Sequence, residues 1–233
     1  MALTAVVLQA RLDSSRLPNK ALLPLGGRPL IFRVMEALKQ LRADTWILAS
    51  TEDCAASFGP LAEEAGFSFL AGPKEDVLGR YCLAIRRFGI DRVIRATGDN
   101  PFVFADAAEA INAEAAGLDA DYAGYSGLPY GAGVESVAAR ALLRAGEEAA
   151  ALSEREHVCP YLYNHPDFFL LHRPLVPSFW RGPSLRLTVD TEDDYRRASA
   201  LYTALDSCPA RPGLSPEARY RGASIIAVAG TLP

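Results

Sequence analysis

Three cations and two hydroxyls crowd a short stretch near the start of the chain. The segment 9–20, QARLDSSRLPNK, holds Arg11, Arg16 and Lys20 with Ser14 and Ser15 between them. A triphosphate needs such a concentration of positive charge and hydroxyl donors, because its oxygens carry several negative charges in a small volume. Backbone N–H groups turned inward usually help, and glycines usually supply them. Here no glycine occurs before Gly26. Asp13 and Asn19 stand at the bends instead, and both residue types tolerate left-handed dihedrals better than most. Gly-x-x-x-x-Gly-Lys-Ser/Thr is absent, so this is not a P-loop. A solvated basic loop is the plain alternative. It gives no reason for three cations beside Leu17-Pro18 at the end of a strand-like run.

Two aspartates lie in comparable places. Asp99 follows the run 92–95 in Thr97-Gly98-Asp99-Asn100-Pro101, where Gly98 permits close backbone approach and Pro101 sets a turn. Asp190 follows the run 185–189 and precedes Thr191. Each has an ordinary reading as a turn former or helix cap. If two strands bring the carboxylates together, they suit magnesium, which takes few carboxylates and completes its shell with phosphate oxygens and water.

Elements must carry these residues to one place. Runs 3–8, 45–49, 67–70, 92–95 and 120–123 read as strands. Segments 29–41, 53–65, 77–88 and 104–116 read as helices between them. That β-α-β-α order predicts an α/β, Rossmann-like fold with a mainly parallel mixed sheet flanked by helices, and right-handed crossovers. Ligands in such sheets bind at the carboxyl ends of strands, so the loops after Leu8, Ala49 and Arg95 are the places to search. Beyond them, 125–137 reads as a loop or hairpin. Segment 153–164 reads as a helix opened by a Ser153–Glu156 capping box. Runs 168–172 and 185–189 read as strand-like, and 192–205 as a helix. The stretch 207–233 has no assigned element. With no repeat or linker, a single domain over 1–233 is expected.

Composition narrows the function classes. The chain has 233 residues, 50% of them hydrophobic, and a net charge of -4, so no basic field exists to hold a nucleic-acid backbone. Cys54, Cys82, Cys159 and Cys208 show no metal-ligand spacing, which argues against zinc and for reduced thiols. The start lacks a signal-peptide pattern and no apolar run suits a membrane span, so a cytoplasmic protein without a membrane partner is expected.

The ordered set of motifs carries a resemblance. Segment 9–20, then LPLGGRPLI at 23–31, EDVLGR at 75–80, RATGDNP at 95–101, SEREH at 153–157 and LRLTVDT at 185–191 together resemble the sugar nucleotidyltransferases. Within them the chain is similar to the cytidylyltransferases of the spore-coat polysaccharide biosynthesis protein F type, related to CMP-acylneuraminate and CMP-Kdo synthetases. The resemblance covers about residues 3–205. It implies CTP as donor, a sugar-like acceptor, release of pyrophosphate, and Mg2+ or another divalent cation held by Asp99 and Asp190.

The expected nucleotide-binding set is Leu8, Gln9, Ala10, Arg11, Ser14, Arg16, Lys20, Ala49, Ser50, Thr51, Arg80, Thr97, Gly98 and Asp99. Ala49 to Thr51 would form the base-side wall. Arg11, Arg16, Lys20 and Asp99 are the expected catalytic group. For the acceptor, Glu135 is assigned to sugar hydroxyls. His157, Tyr161 and Tyr163 match a His…Tyr-x-Tyr segment that in CMP-Kdo synthetases lies near the sugar and the dimer contact. A homodimer, with an acceptor-side and dimerisation segment at about 125–185, is expected.

Arg155, Arg173 and Arg186 are candidates for an acceptor carboxylate, as in a sugar acid. Arg186 is favoured because residues 186, 188 and 190 of an extended strand share one face at about 6.5 to 7 Å per step of two. Its alternative is a tie to a neighbouring acidic side chain. Tyr130 and Gly133 stand where related sequences carry aspartates, which points to a different acceptor. Other readings stay open: another base, a polyol, phosphate or phosphonate acceptor, or a nucleotide-binding module without catalysis.

Overall fold

The computed structural model describes residues 2–207 and 221–232. Its main sheet has the strand order β5-β4-β1-β6-β8-β7-β9. The strands are β1 (Thr4–Gln9), β4 (Thr45–Ser50), β5 (Ser68–Ala71), β6 (Arg92–Thr97), β7 (Tyr122–Ala123), β8 (Glu135–Ala138) and β9 (Leu171–His172). A separate two-residue pair, β2 (Pro24–Leu25) and β3 (Arg28–Pro29), closes a hairpin after the basic loop. Strands β5, β4, β1 and β6 run parallel; β8 is antiparallel to β6 and β7. The mixed, mainly parallel sheet expected from the β-α-β-α order is present.

Burial on both faces explains the apolar strands. Val6, Leu8, Leu48, Ile94 and Ala96 point to one layer, packed with α1 (Leu30–Leu38), α4 (Ala105–Gly117) and α8 (Glu192–Ser207). Their neighbours Ala5, Val7, Ile47, Ala49 and Val93 point to the other, packed with α3 (Val77–Phe88), α5 (Ala139–Glu148) and α7 (Pro160–Asn164). Helix α3 shows how the sequence sets its own ends. The Asp76 carboxylate accepts the Gly79 N–H at 2.8 Å, and Gly89 closes the helix in the left-handed region at φ 66°. Helix α2 (Ala55–Glu64) completes the set around β4 and β5.

Several expected boundaries change for identifiable reasons. Segment 153–164 is two helices, α6 (Leu152–His157) and α7, with Ala151 as the N-cap of α6 and no Ser153–Glu156 capping box. Pro160 lacks an N–H, and its ring would meet the Glu156 carbonyl in a continuous helix. The chain breaks at Val158 (φ 73°, ψ −56°), with the Cys159 N–H donating to His157 O at 2.9 Å. That three-residue turn is the rarer, strained form. Segment 185–189 is extended but outside the sheet. Its partners are loops: Leu187 N–H donates to Tyr130 O and Val189 N–H to Asp99 O. Helix α5 was not anticipated. The unassigned apolar run 225–228 lies in α9 (Gly222–Ala229), where Ile225 is buried. Cys54, Cys82 and Cys159 are free and buried; Cys208 lies outside the described residues. Among the described residues no helix is long and apolar enough to cross a membrane.

Candidate active site

The carboxyl ends of β1, β4 and β6 meet at one level, since Gln9 pairs with both Ala49 and Thr97. The chain leaving β1 is pinned there. Ala10 N–H donates to Ala49 O, Gly98 N–H to Gln9 O at 2.8 Å, and the Ser50 hydroxyl to Ala10 O at 2.8 Å. Position 98 needs glycine for space: a Cβ there would lie 2.8 Å from the Cβ of Ala10. Asn19 adopts the left-handed region at φ 53° and starts the short turn Lys20–Leu22, as its residue type allowed. This loop and the ends of β1 and β6 enclose a cleft of about 490 Å³.

At the cleft floor Lys20 joins the two aspartates. Its Nζ donates to Asp99 Oδ2 at 3.0 Å, to Asp190 Oδ1 at 2.9 Å and to Val189 O at 2.8 Å. Arg16 reaches the same Asp190 oxygen at 2.9 Å. Burial alone would raise the Asp190 pKa. The hydrogen bond and charge of Lys20, with Arg16 and Arg186, outweigh it and hold the carboxyl below its ordinary value. Two carboxylates far apart in sequence thus converge on one ammonium. No cluster of three His, Cys, Asp or Glu able to hold a metal occurs among the described residues. A divalent cation here would draw only these two carboxylates from the protein, which fits magnesium bound largely through phosphate and water.

Behind Asp190 stands a group that sequence reasoning missed. Asp194 accepts the N–H groups of Asp190 and Thr191, the Thr191 hydroxyl, and the guanidinium groups of Arg186 and Arg197. Thr191 Oγ1 accepts the Asp194 N–H in return, so T-x-x-D opens α8 as a capping box. That spacing was legible in 191–194. Burial opposes ionisation of Asp194, but Arg186 and the Thr191 groups lower its pKa strongly. A depressed carboxylate contributes stability that is present above the unfolded pKa of about 3.9 and lost as pH falls through the folded value. The Tm deficit of Asp194→Asn is therefore expected to be full at pH 7 and to shrink steadily below about pH 4. A gap independent of pH in calorimetry would contradict this.

The other expected residues divide. Gln9, Ala10, Arg11, Ser14, Arg16, Lys20, Arg80, Thr97, Gly98, Asp99, His157 and Asp190 line the cleft. Leu8, Ala49, Ser50 and Thr51 do not. They are buried, Ser50 is spent on Ala10, and Thr51 contacts Cys54 Sγ, so they support the loop and form no base-side wall. Arg80 does line the cleft: it is 2% exposed, and its Nε and Nη1 have no hydrogen-bond partner. Burial pulls its pKa below the ordinary value.

Glu135 does not line this cleft but lines a second cavity beside it, with its carboxylate already engaged. Arg95 pairs with it, and the hydroxyls of Tyr122 and Tyr163 donate to its Oε1. Burial, opposed chiefly by Arg95, leaves it ionised below its ordinary pKa. Tyr161 turns away from the cleft and donates to Glu148 on α5, because the break at Val158 resets the helical phase. Arg186 is committed to Asp190 Oδ2 at 2.7 Å and Asp194 Oδ1 at 2.9 Å, the acidic tie that was its alternative. Asn100 and Glu156 also line the cleft and had not been singled out.

The comparisons with known proteins agree with this geometry. A family model described as cytidylyltransferase matches residues 5–208. The spore coat polysaccharide biosynthesis protein SpsF of Bacillus subtilis is 32% identical over 206 residues, spanning 84% of this chain and 85% of that one. A cytidylyltransferase structure from Leptospira borgpetersenii superposes with a TM-score of 0.87 at 23% identity, covering 99% of this chain and 94% of that one. The structure of CMP:2-keto-3-deoxy-manno-octonic acid synthetase complexed with CTP has a TM-score of 0.69 at 16% identity, covering 87% and 99%. At these identities the two structures show a shared fold, and the sequence matches carry the rest. The chain belongs to the cytidylyltransferase family and is a nucleotidyltransferase.

Proposed function

We propose that this enzyme transfers CMP from CTP to a hydroxyl of a sugar-like acceptor and releases pyrophosphate. The observation that carries the reading is Lys20 held between Asp99 and Asp190 at the floor of a cleft whose wall includes Arg11 and Arg16. The acceptor oxygen attacks the α-phosphorus in line, its bond to phosphorus forms, and the bond to pyrophosphate breaks. Arg11, Arg16 and Lys20 meet the charge on the departing pyrophosphate, while the cleft holds donor and acceptor in register. In this reading Asp99 and Asp190 are the residues that hold Mg2+, and the ion when bound supplies positive charge to the phosphate oxygens.

Arg80 supports the choice of base. A buried guanidinium offers only donors, and cytosine presents acceptors at both O2 and N3, whereas N3 of uracil carries a proton. A site built to hydrogen-bond one partner rejects an analogue that leaves its groups unpaired. CTP with magnesium is expected to raise the Tm more than UTP, ATP or GTP. Arg80→Leu should erase the difference between CTP and UTP, and should hold or raise the Tm of the free protein by removing an unpaired buried charge. Thermal shift with the four nucleotides checks both, and equal shifts in the wild type would sink the case for CTP. Pyrophosphate release with a panel of sugars tests the transfer itself.

A second cavity of about 300 Å³ shares Arg95, Thr97, Asn100, Tyr130 and Gly131 with the cleft and is the proposed acceptor pocket. A sugar acid remains the proposed acceptor class, with a changed assignment for its carboxylate. Arg155 is paired with Asp76 and Arg186 with Asp190 and Asp194. Arg173, stacked over the Tyr163 ring at 5.3 Å, is the one of the three candidates with no carboxylate partner among the described residues. The expected homodimer is supported by exposed Leu152, Phe168, Leu170, Leu175 and Phe179, all within 125–185.

A further inference from the structure

Asp190 carries two oxygens, and they do different things. Oδ1 faces the cleft and receives Lys20 and Arg16, each at 2.9 Å. Oδ2 is turned away and receives Arg186 Nη2 at 2.7 Å. A carboxylate on a free torsion would present either oxygen, because its terminal rotation is broad and two-fold. Something must hold it in one sense.

The holder is the planar fork of Arg186. Its Nη2 reaches Asp190 while its Nε reaches Asp194 Oδ1 at 2.9 Å, so one rigid group spans two carboxylates. Asp194 is fixed in turn. Its carboxylate takes the Asp190 N–H at 3.1 Å, the Thr191 N–H and hydroxyl at 2.9 Å each, and Arg197 at 2.6 Å. It is 3% exposed. A helix cap needs one or two such contacts; the guanidinium groups go beyond what capping requires. The guanidinium of Arg186 also lies over the Tyr130 ring, 4.9 Å from its centroid, which limits its own swing.

We infer that Asp194, acting through Arg186, is a positioning residue that locks Asp190 so that a single oxygen faces Lys20, the nucleotide and the cation. The inference rests on the functional reading above. Arg186 thereby serves the donor side of the reaction, and the acceptor does not touch it. Partners standing behind a metal-binding side chain typically govern about ten- to hundredfold in metal affinity.

The test uses Mn2+ as the probe cation on the full chain with CTP, reading free Mn2+ by electron paramagnetic resonance. Arg186→Lys keeps the charge and loses the fork; Asp194→Asn loses the anchor. Each is expected to weaken Mn2+ binding in the CTP complex by about tenfold or more, while CTP binding without divalent ions stays as in the wild type. Tyr195→Phe removes the hydroxyl that ties the same helix to Pro24 O, without touching Arg186, Asp194 or Asp190. It should lower the Tm and leave Mn2+ affinity unchanged, which separates positioning from general loosening. Arg186→Lys lies outside the cap, so the idea stays open to refutation if Asp194→Asn fails to fold. A folded Arg186→Lys that holds Mn2+ like the wild type overturns the inference, as does an equal loss in Tyr195→Phe. A wild type that binds no Mn2+ with CTP overturns the functional reading, and this inference with it.

Discussion

Asp99→Asn and Asp190→Asn are each expected to lower kcat by about 10²- to 10³-fold while the fold persists. Each exchange is nearly isosteric and removes one negative charge from a group that Lys20 already joins. The expected size follows from the charge at stake. Offsetting charge on transferring phosphate is worth several kcal/mol, and each 1.36 kcal/mol is tenfold in rate. The two variants should not be equivalent in stability. Asp190 is the more enclosed, with its side chain 10% exposed against 28% for Asp99, and it balances Arg16 and Arg186 as well as Lys20. Asp190→Asn should therefore show the larger loss of Tm. If the carboxylates act as a unit, the double variant loses far less than the two single losses combined. Steady-state pyrophosphate release across the four proteins measures this. Full activity in either single variant would falsify that residue's role.

The convergence of the cleft-lining residues was legible in the sequence because they sit on short loops directly after apolar strands. Arg11, Ser14, Arg16 and Lys20 needed only the strand before them to be placed, and the parallel order put Asp99 beside them. The surroundings of the residues proposed for the acceptor were less legible because long-range pairing decides them. Glu135 looked free until β8 ran antiparallel to β6 and set it against Arg95, a register no local pattern encodes. Tyr161 and Tyr163 could be sorted only by the break at Val158. The base-side wall shows the opposite error. Ser50 and Thr51 are at the end of a strand, where ligands bind, but a polar side chain there can be consumed by the backbone beside it. Arg80, by contrast, is a charged residue on a helix face that is otherwise buried, with two guanidinium nitrogens unpaired, and this is what supports its proposed place against the base.

Lys20→Met should be the most informative single exchange, because it separates what the ammonium does in the free protein from what it does in catalysis. In the free protein it holds two carboxylates together. Arg16, itself largely exposed, compensates only Asp190. Without Lys20, Asp190 keeps Arg16 and Arg186, but Asp99 is left beside it with no cation partner among the described residues, at a cost of about 1–3 kcal/mol. For a chain of this length that corresponds to a Tm loss of several degrees, at about 2–4 °C per kcal/mol. Turnover should fall by about 10²- to 10³-fold as well, since in the proposed reaction a cation that meets the departing pyrophosphate is gone. The two losses should respond differently to divalent cations. Mg2+ or Mn2+ can take the place of the missing ammonium between Asp99 and Asp190, so adding either should restore more Tm to Lys20→Met than to the wild type. Turnover should stay low, because the departing pyrophosphate still lacks its lysine. Calorimetry with and without the cation, beside pyrophosphate release, reads both. A variant with unchanged Tm would mean that Lys20 does not bind the two carboxylates together. A variant with restored turnover would remove the lysine from the chemical step and leave it a structural clamp.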